Sequence, residues 1–483
     1  MVSSLPGDRI SQRSVQGRQL RRHVLRGAVL VFVTAGYRGK RFIFERAKEL
    51  GVRSVILDGP DSWSQELVDE GVAERFVPLD MSDGETLFER ALEAVKRVRA
   101  ELGDLDGVVS FAEMAMPLVS RLADALGLPG NPASAVDDAR DKHRTRARMA
   151  EAGLPTPRNF LITERDQLHE AAQHVGFPSV IKPIFGAASL GVVRVDDEAA
   201  LVAAFDRVTK EMAAARIEAG ALVAGGEEEE EQEGGAAVPA APPTKGNAEG
   251  WIKMTIMMEE YLDGPEVDVD LVFSEGAPVY GAVTDNWPTI EPYFNETGSN
   301  APSILPTEQQ KELLDLAVDS VKCLGFAMGV FHVECKYTSR GARLIEVNCR
   351  MGGGPVRNMN LLVWGVDLVE EQLLLGAGIP SRPPVADAPL KHIAEYSINA
   401  KATGTVGPLA PLCAEIAARP GILYCRPTVS EGAKVVCVED GMPTWIIELM
   451  VEAHDVHTAI DIVNKLEEEI TSKVVITPTP KKK

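Results

Sequence analysis

FHVECKYTSRGARLIEVNCRMGGGPVR, residues 331–357, decides the fold. It reads as two short strands joined by a turn at Thr338-Ser339-Arg340-Gly341. Side chains alternate faces along a strand. His332 and Glu334 therefore share one face of the first strand, while Phe331, Val333 and Cys335 take the other. On the second strand Glu346 and Asn348 share a face, opposed by Ile345, Val347 and Cys349. Folding the hairpin brings Glu334, Glu346 and Asn348 together over an apolar floor. Three hard oxygen ligands on rigid strands suit Mg²⁺, which is commonly held by a few carboxylates plus substrate phosphates. Arg350 and Gly352-Gly353-Gly354 follow at once. Taken alone, each of these residues fits equally well on the charged outer face of an amphipathic hairpin.

Outward from the hairpin, Thr307–Leu324 has the period of an amphipathic helix, and Val267–Phe273 is a strand with alternating acids. Trp251–Tyr261 reads as a strand ending on Glu259 and Glu260, followed by Leu262 and, after a Gly-Pro turn, Glu266. These carboxylates are acceptors for a base amino group and a ribose, or plain solvated strand ends. Phe177–Lys182 is a strand that ends on a lysine, and Pro183 breaks it. The small-residue loop Phe185–Gly191, containing Ser189, lets backbone N–H groups approach an anion closely. A phosphate clamp and an ordinary hairpin turn are both open readings there. Asp141–Ala152 is a helix carrying Lys142 and closed by Gly153. Residues 224–250 are Glu, Gly, Ala and Pro without periodicity, and read as a disordered acidic insertion.

Residues 27–137 alternate strand and helix, with strands at Ala28–Thr34, Val52–Leu57, Val77–Leu79 and Gly107–Phe111. That order implies a doubly wound parallel sheet. The Gly36/Gly39 turn after the first strand lacks a phosphate-binding fingerprint. It reads as a plain tight turn or a contact with a small substrate. Ser381–Ala388 is a Pro-rich boundary, and residues 381–476 form a small α+β end domain. Residues 1–26 carry six arginines and one acid, Asp8, and are expected to be a disordered basic tail, with an organellar transit peptide as the alternative. Residues 477–483 are a second basic tail.

The net charge is −21, and the run Glu227–Glu231 with Glu233 supplies six of those charges, so the remainder stands at −15. Such a chain argues against a general nucleic-acid or anionic-membrane binder. Six cysteines with no CxxC pair read as free thiols in a reducing, cytoplasmic setting. No apolar run reaches the 18 or so residues that span a bilayer.

In order, DKHRTR (141–146), VIKP (180–183), the small-residue loop, MEEYLDGPE (258–266), HVE (332–334) and EVN (346–348) resemble the ATP-grasp family. Residues 350–380 are similar to its carboxylate–amine ligases that make dipeptides. The resemblance implies an α/β and α+β ATP-grasp architecture: the parallel-sheet domain over 27–137, a split ATP-binding domain over 138–380, and the end domain over 381–476. Lys142 and Lys182 would hold the α- and β-phosphates, and the loop around Ser189 would cover the triphosphate. Adenine would lie along Glu259 to Leu262, contacting Glu260, with Glu266 on the ribose. Glu334, Glu346 and Asn348 would bind two Mg²⁺ (or Mn²⁺) ions. Arg350 would reach an acyl phosphate, and Arg357 a free carboxylate; either is alternatively structural. Asp285 and Glu291, with Trp287 and Tyr293 to stack, offer a recognition surface for the amine substrate, or equally a solvent loop. The implied partners are small amino acids, with β-alanine and L-histidine the best-guess pair, and a homodimer stays open. A ligase of another pathway such as purine synthesis, and an ATP-dependent phosphotransferase, are the alternatives.

Overall fold

The computed structural model describes residues 14–82, 84–186, 189–214, 216–218, 221–223 and 255–478. Both the acidic insertion and the extreme termini expected to be disordered lie outside them.

Four strands, in spatial order Arg75–Pro78, Arg53–Asp58, Val29–Val33 and Gly107–Val109, form an all-parallel N-terminal sheet. Their apolar runs are buried because helices cover both faces, as expected for crossover-connected strands. One face packs against Arg41–Glu49 and against the distant helix Leu368–Gly376, whose Leu368, Val369, Leu373, Leu374 and Leu375 share a core with Phe32, Phe44 and Val109. The approach is tight: a Cβ on Gly107 would lie 1.9 Å from the Gly376 carbonyl oxygen. Only glycine fits there, and the contact fixes the N-terminal domain on the rest of the chain.

A second, antiparallel sheet has the order Asn159–Ile162, Ile256–Glu260, Ser179–Pro183, Val193–Val195. The third has eight strands: Gly341–Asn348, Gly329–Thr338, Glu266–Ser274, Ala277–Asn286, Gly298–Ala301, His392–Asn399, Trp445–Ala453 and Ile422–Pro427. The opening hairpin is therefore its edge. The long helix Thr307–Cys323 packs its Leu313, Leu316, Ala317 and Val321 under that edge.

Two expectations change. Residues 381–476 do not stand apart, because His392–Asn399 pairs with Gly298–Ala301 and carries the end-domain strands onto the ATP-domain sheet. The Pro-rich stretch lies between Leu368–Gly376 and His392–Asn399, and the hydrogen-bond ladder joins strands from either side of it. At the other end, Val15–Leu25 is a helix rather than part of a disordered tail, with Ser14 Oγ accepting from Gly17 N at 2.9 Å. Arg21 is drawn in by Glu370 and Glu371, since buried carboxylates require a cation.

Candidate active site

A solvent-open cleft of about 1060 Å³ is lined from both antiparallel sheets and gathers most of the residues singled out in the sequence. Lys142, Lys182, Ser189, Glu259, Glu260, Leu262, Glu266, Glu334, Glu346, Asn348 and Arg350 all border it. Val180, Leu190, Val192, Tyr261, Phe294 and Ile345 add apolar surface suited to a flat ring.

The hairpin brings its three oxygen donors together as the alternation requires. Glu334 pairs across the ladder with Glu346, and His332 with Asn348. Asn348 Nδ2 donates to Glu334 Oε1 at 3.1 Å, and Lys142 Nζ donates to Glu346 Oε1 at 2.9 Å. Burial and the facing Glu346 carboxylate push Glu334 up to about 8. Against its own burial, Glu346 is held below the usual range by Lys142. Two carboxylates and a carboxamide converge, with Lys142 on Glu346, a donor set that fits a divalent cation. Asn348 matters to that fit: no three His, Cys, Asp or Glu side chains among the described residues form a metal-holding group.

Lys142 opens the helix Lys142–Glu151, which Asp141 caps by accepting from Arg144 N at 3.0 Å. Arg146, one turn on, lies on the same helix face. It is 1% exposed at its side chain and grips Glu259 with two nitrogens at 2.7 and 3.2 Å. Lys182 bonds the same carboxylate. Burial would raise Glu259, but Arg146 and Lys182 outweigh it and hold the acid at about 2. Glu259 therefore differs from its expected part: its oxygens are occupied by two cations, which it positions. Glu260 is taken by Arg340 at 2.9 Å, and Glu266 faces Lys336 at 3.6 Å. Ser189 adopts φ +56 at the edge of the loop, whose residues 187 and 188 lie outside the described set.

Arg350 is placed as expected beside the hairpin donors. Its Nη2 donates to Asn348 Oδ1 at 3.2 Å, and its Nε meets Glu113 Oε2 of the N-terminal domain at 2.9 Å. Arg357 is not brought to the cleft. Asp367 takes it in a fork at 2.9 and 2.8 Å, and Phe42 lies under it at 5.1 Å. The expected recognition surface also moves. Asp285 is buried and satisfied by Asn300, Ser303 and Ile304 N, while Trp287 donates to Asn300 at 2.8 Å and packs on Tyr396. Tyr293 lies under Arg207, and Glu291 pairs with Arg194 at 2.9 Å and accepts from Tyr261. Phe294 and Glu296 border the cleft instead. Desolvation, Asp268 and Glu266 raise Glu296 to about 7.

Sequence reasoning passed over Arg146, Lys336 and Glu113. The first two had a signal, being one helical turn from Lys142 and two strand positions from Glu334. Glu113 had none.

This arrangement has close relatives in architecture. Three family models match the chain: ATP-grasp N-terminal domain over residues 44–130, Carbamoyl-phosphate synthase L chain, ATP binding domain over 141–224, and ATP-grasp domain over 243–358. The chain belongs to the ATP-grasp family. Among ATP-grasp relatives, carnosine synthase 1 of Gallus gallus is 30% identical over 380 residues, 77% of this chain and 37% of that one. Alanine–anticapsin ligase of Bacillus subtilis is 26% identical over 288 residues, 59% of this chain and 56% of that one. The chain thus spans 37% of the length of that carnosine synthase and 56% of the anticapsin ligase, under two thirds of either. The crystal structure of an L-amino acid ligase from Bacillus licheniformis shares the ATP-grasp fold at a TM-score of 0.72 and 21% identity, covering 94% of this chain and 99% of that one. No helix among the described residues is long and apolar enough to cross a membrane.

Proposed function

We propose that this protein is an ATP-dependent carboxylate–amine ligase that joins two amino acids through an amide bond. One observation carries the reading: Glu334, Glu346 and Asn348 converge in the same cleft as Lys142, Lys182 and Arg350. Such a site gathers what phosphoryl transfer to an anion requires, namely positioning and charge neutralisation. MgATP supplies the phosphoryl group and a counter-charge, and Glu334, Glu346 and Asn348 are the residues that would hold two Mg²⁺ ions.

Lys142 and Lys182 bind phosphates, each kept in place meanwhile by a carboxylate, Glu346 and Glu259 respectively. Adenine occupies the apolar slot beside Glu260 and Leu262, with the ribose at Glu266, and the Ser189 loop covers the triphosphate. A substrate carboxylate oxygen attacks the γ-phosphorus, and the bond to ADP breaks. The amine of the second substrate then attacks the acyl carbon. The C–O bond to phosphate breaks, a proton leaves the nitrogen, and the amide remains. Arg350, oriented by Glu113, neutralises the acyl phosphate during both steps. The names of the relatives make β-alanine with L-histidine the first pair to test. Mass spectrometry of the product with a coupled ADP readout decides: ADP, phosphate and a dipeptide are expected. AMP release, or a phosphorylated substrate without an amide, overturns the ligase reading.

A further inference from the structure

Past Arg350 the polar cluster continues into the N-terminal domain, where the reading above uses only Glu113. Thr34-Ala35-Gly36 leaves the C-terminal end of Val29–Val33, the edge of a parallel sheet where ligands characteristically bind. Thr34 is held at φ +58, is 8% exposed, and its hydroxyl has no hydrogen-bond partner among the described residues. A β-branched residue in that region is a genuine outlier, and strain of this kind clusters at functional sites. Two residues on, Gly36 has φ +70, and a Cβ there would meet Lys40 Cδ at 2.8 Å. The glycine leaves a channel for the lysine chain.

Lys40 Nζ donates to the Phe111 carbonyl, beside Glu113 and Arg350. Glu113, 8% exposed, already serves Arg350 at 2.9 Å and Arg140 at 3.4 Å. Two arginines therefore share one carboxylate, and Lys40 adds a third positive charge beside it, in a protein whose net charge is −21. Burial first, and then the neighbouring Arg350 charge, lower the Lys40 ammonium to about 8. The group expected to take a substrate carboxylate, Arg357, is already filled by Asp367.

We propose that Lys40, which stands beside Arg350, forms an anion pocket that binds the free carboxylate of the amine-supplying amino acid. The identity of that amino acid as a substrate rests on the ligase reading; the pocket itself does not. The N-terminal domain thus contributes a substrate-binding residue, and the strained Thr34–Gly36 turn sets where it stands.

The test measures binding rather than turnover. The full chain, loaded with Mg²⁺ and a non-hydrolysable ATP analogue at pH 7, is titrated by thermal shift with each of the twenty common amino acids plus β-alanine, with the α- or β-carboxamide of each, and with inorganic phosphate. Wild type is expected to bind at least one acid tenfold or more tightly than its amide. Lys40→Met should cut that preference to within about twofold while leaving affinity for the amide unchanged, and Lys40→Arg should keep the preference and confirm that the site tolerates substitution. A preference that survives in Lys40→Met overturns the proposal. So does a wild type that never distinguishes acid from amide, or one stabilised by phosphate and by no amino acid. A Lys40→Met protein that loses acid and amide alike shows a structural role and overturns it too. Failure of the ligase reading is separate: it is the absence of an amide-bonded product from the wild-type enzyme.

Discussion

Two glutamates on opposite sheets of the cleft, one buried and one half-buried, have opposite characters. Glu259, on the four-stranded sheet, is 2% exposed and held at about 2 by Arg146 and Lys182. Glu334, on the eight-stranded sheet, receives one amide hydrogen bond and faces another carboxylate, and it stands at about 8. The first carries its counter-ions within the fold. The second borders the open cleft, with burial and the Glu346 charge outweighing the nearby His332. A buried charge must be paired, so where the pairing group is protein the residue builds the site, and where it is absent the residue binds what enters. Sequence placed both acids beside a nucleotide, and only their surroundings separate them.

The largest effect should come from the ligand-facing side. Glu346→Gln is expected to lose at least about a hundredfold in ADP release while remaining folded, because on the proposed reading one carboxylate would serve both the cation and Lys142. Near-normal turnover in a folded Glu346→Gln protein would remove the contrast altogether. Mg²⁺ titration followed by melting temperature gives a second readout: the metal should stabilise wild type and leave Glu346→Gln unmoved.

On the other sheet the loss should appear in stability first. Glu259→Gln strands Arg146 and Lys182, and breaking a buried pair in this way costs about 3 kcal/mol. Urea unfolding measures it. A change under about 1 kcal/mol would mean that the arginine and lysine find water or each other's neighbours, and that Glu259 is no structural anchor.

A smaller, graded effect concerns pH. Lys40 is charged below its lowered value of about 8 and neutral above it, with Arg350, Glu113 and the Tyr37 ring as the groups that face it. The preference for amino acid over amide should therefore be full at pH 7 and fade through pH 8 to 9. In Lys40→Arg it should persist across that range, since a guanidinium stays charged. A flat wild-type profile would assign the preference to Arg350 alone.

The smallest effect belongs to the insertion that leads into the Ile256–Glu260 strand. Replacing residues 225–250 with a short Gly/Ser linker should leave melting temperature and ADP release within error, because a long surface loop adds little closure entropy. A several-fold change in the KM for ATP would instead tie the acidic run to the nucleotide.

The architecture was legible in the chain because its elements obey local periods. Alternation alone put Glu334, Glu346 and Asn348 on one face, and the helical turn put Arg146 with Lys142. The parallel N-terminal sheet followed from the same order of strand and helix that the structure shows. What periodicity carries is the face a side chain takes, and that is a property of its own few neighbours.

Which group waits on the other side of that face is decided by closure of the chain. Lys142 meets Glu346 across 204 positions, and Arg21 meets Glu371 across 350. No local pattern announces that Asp367 would occupy Arg357, that Asn300 and Ser303 would satisfy Asp285, or that His392–Asn399 would join the sheet of Gly298–Ala301. The sequence by itself determined the elements, the faces and the family's motifs. The tertiary structure decided which of those charges are neutralised inside the fold and which remain for a ligand, because the stability of a buried charge depends on everything within a few ångströms of it, whatever the distance along the chain.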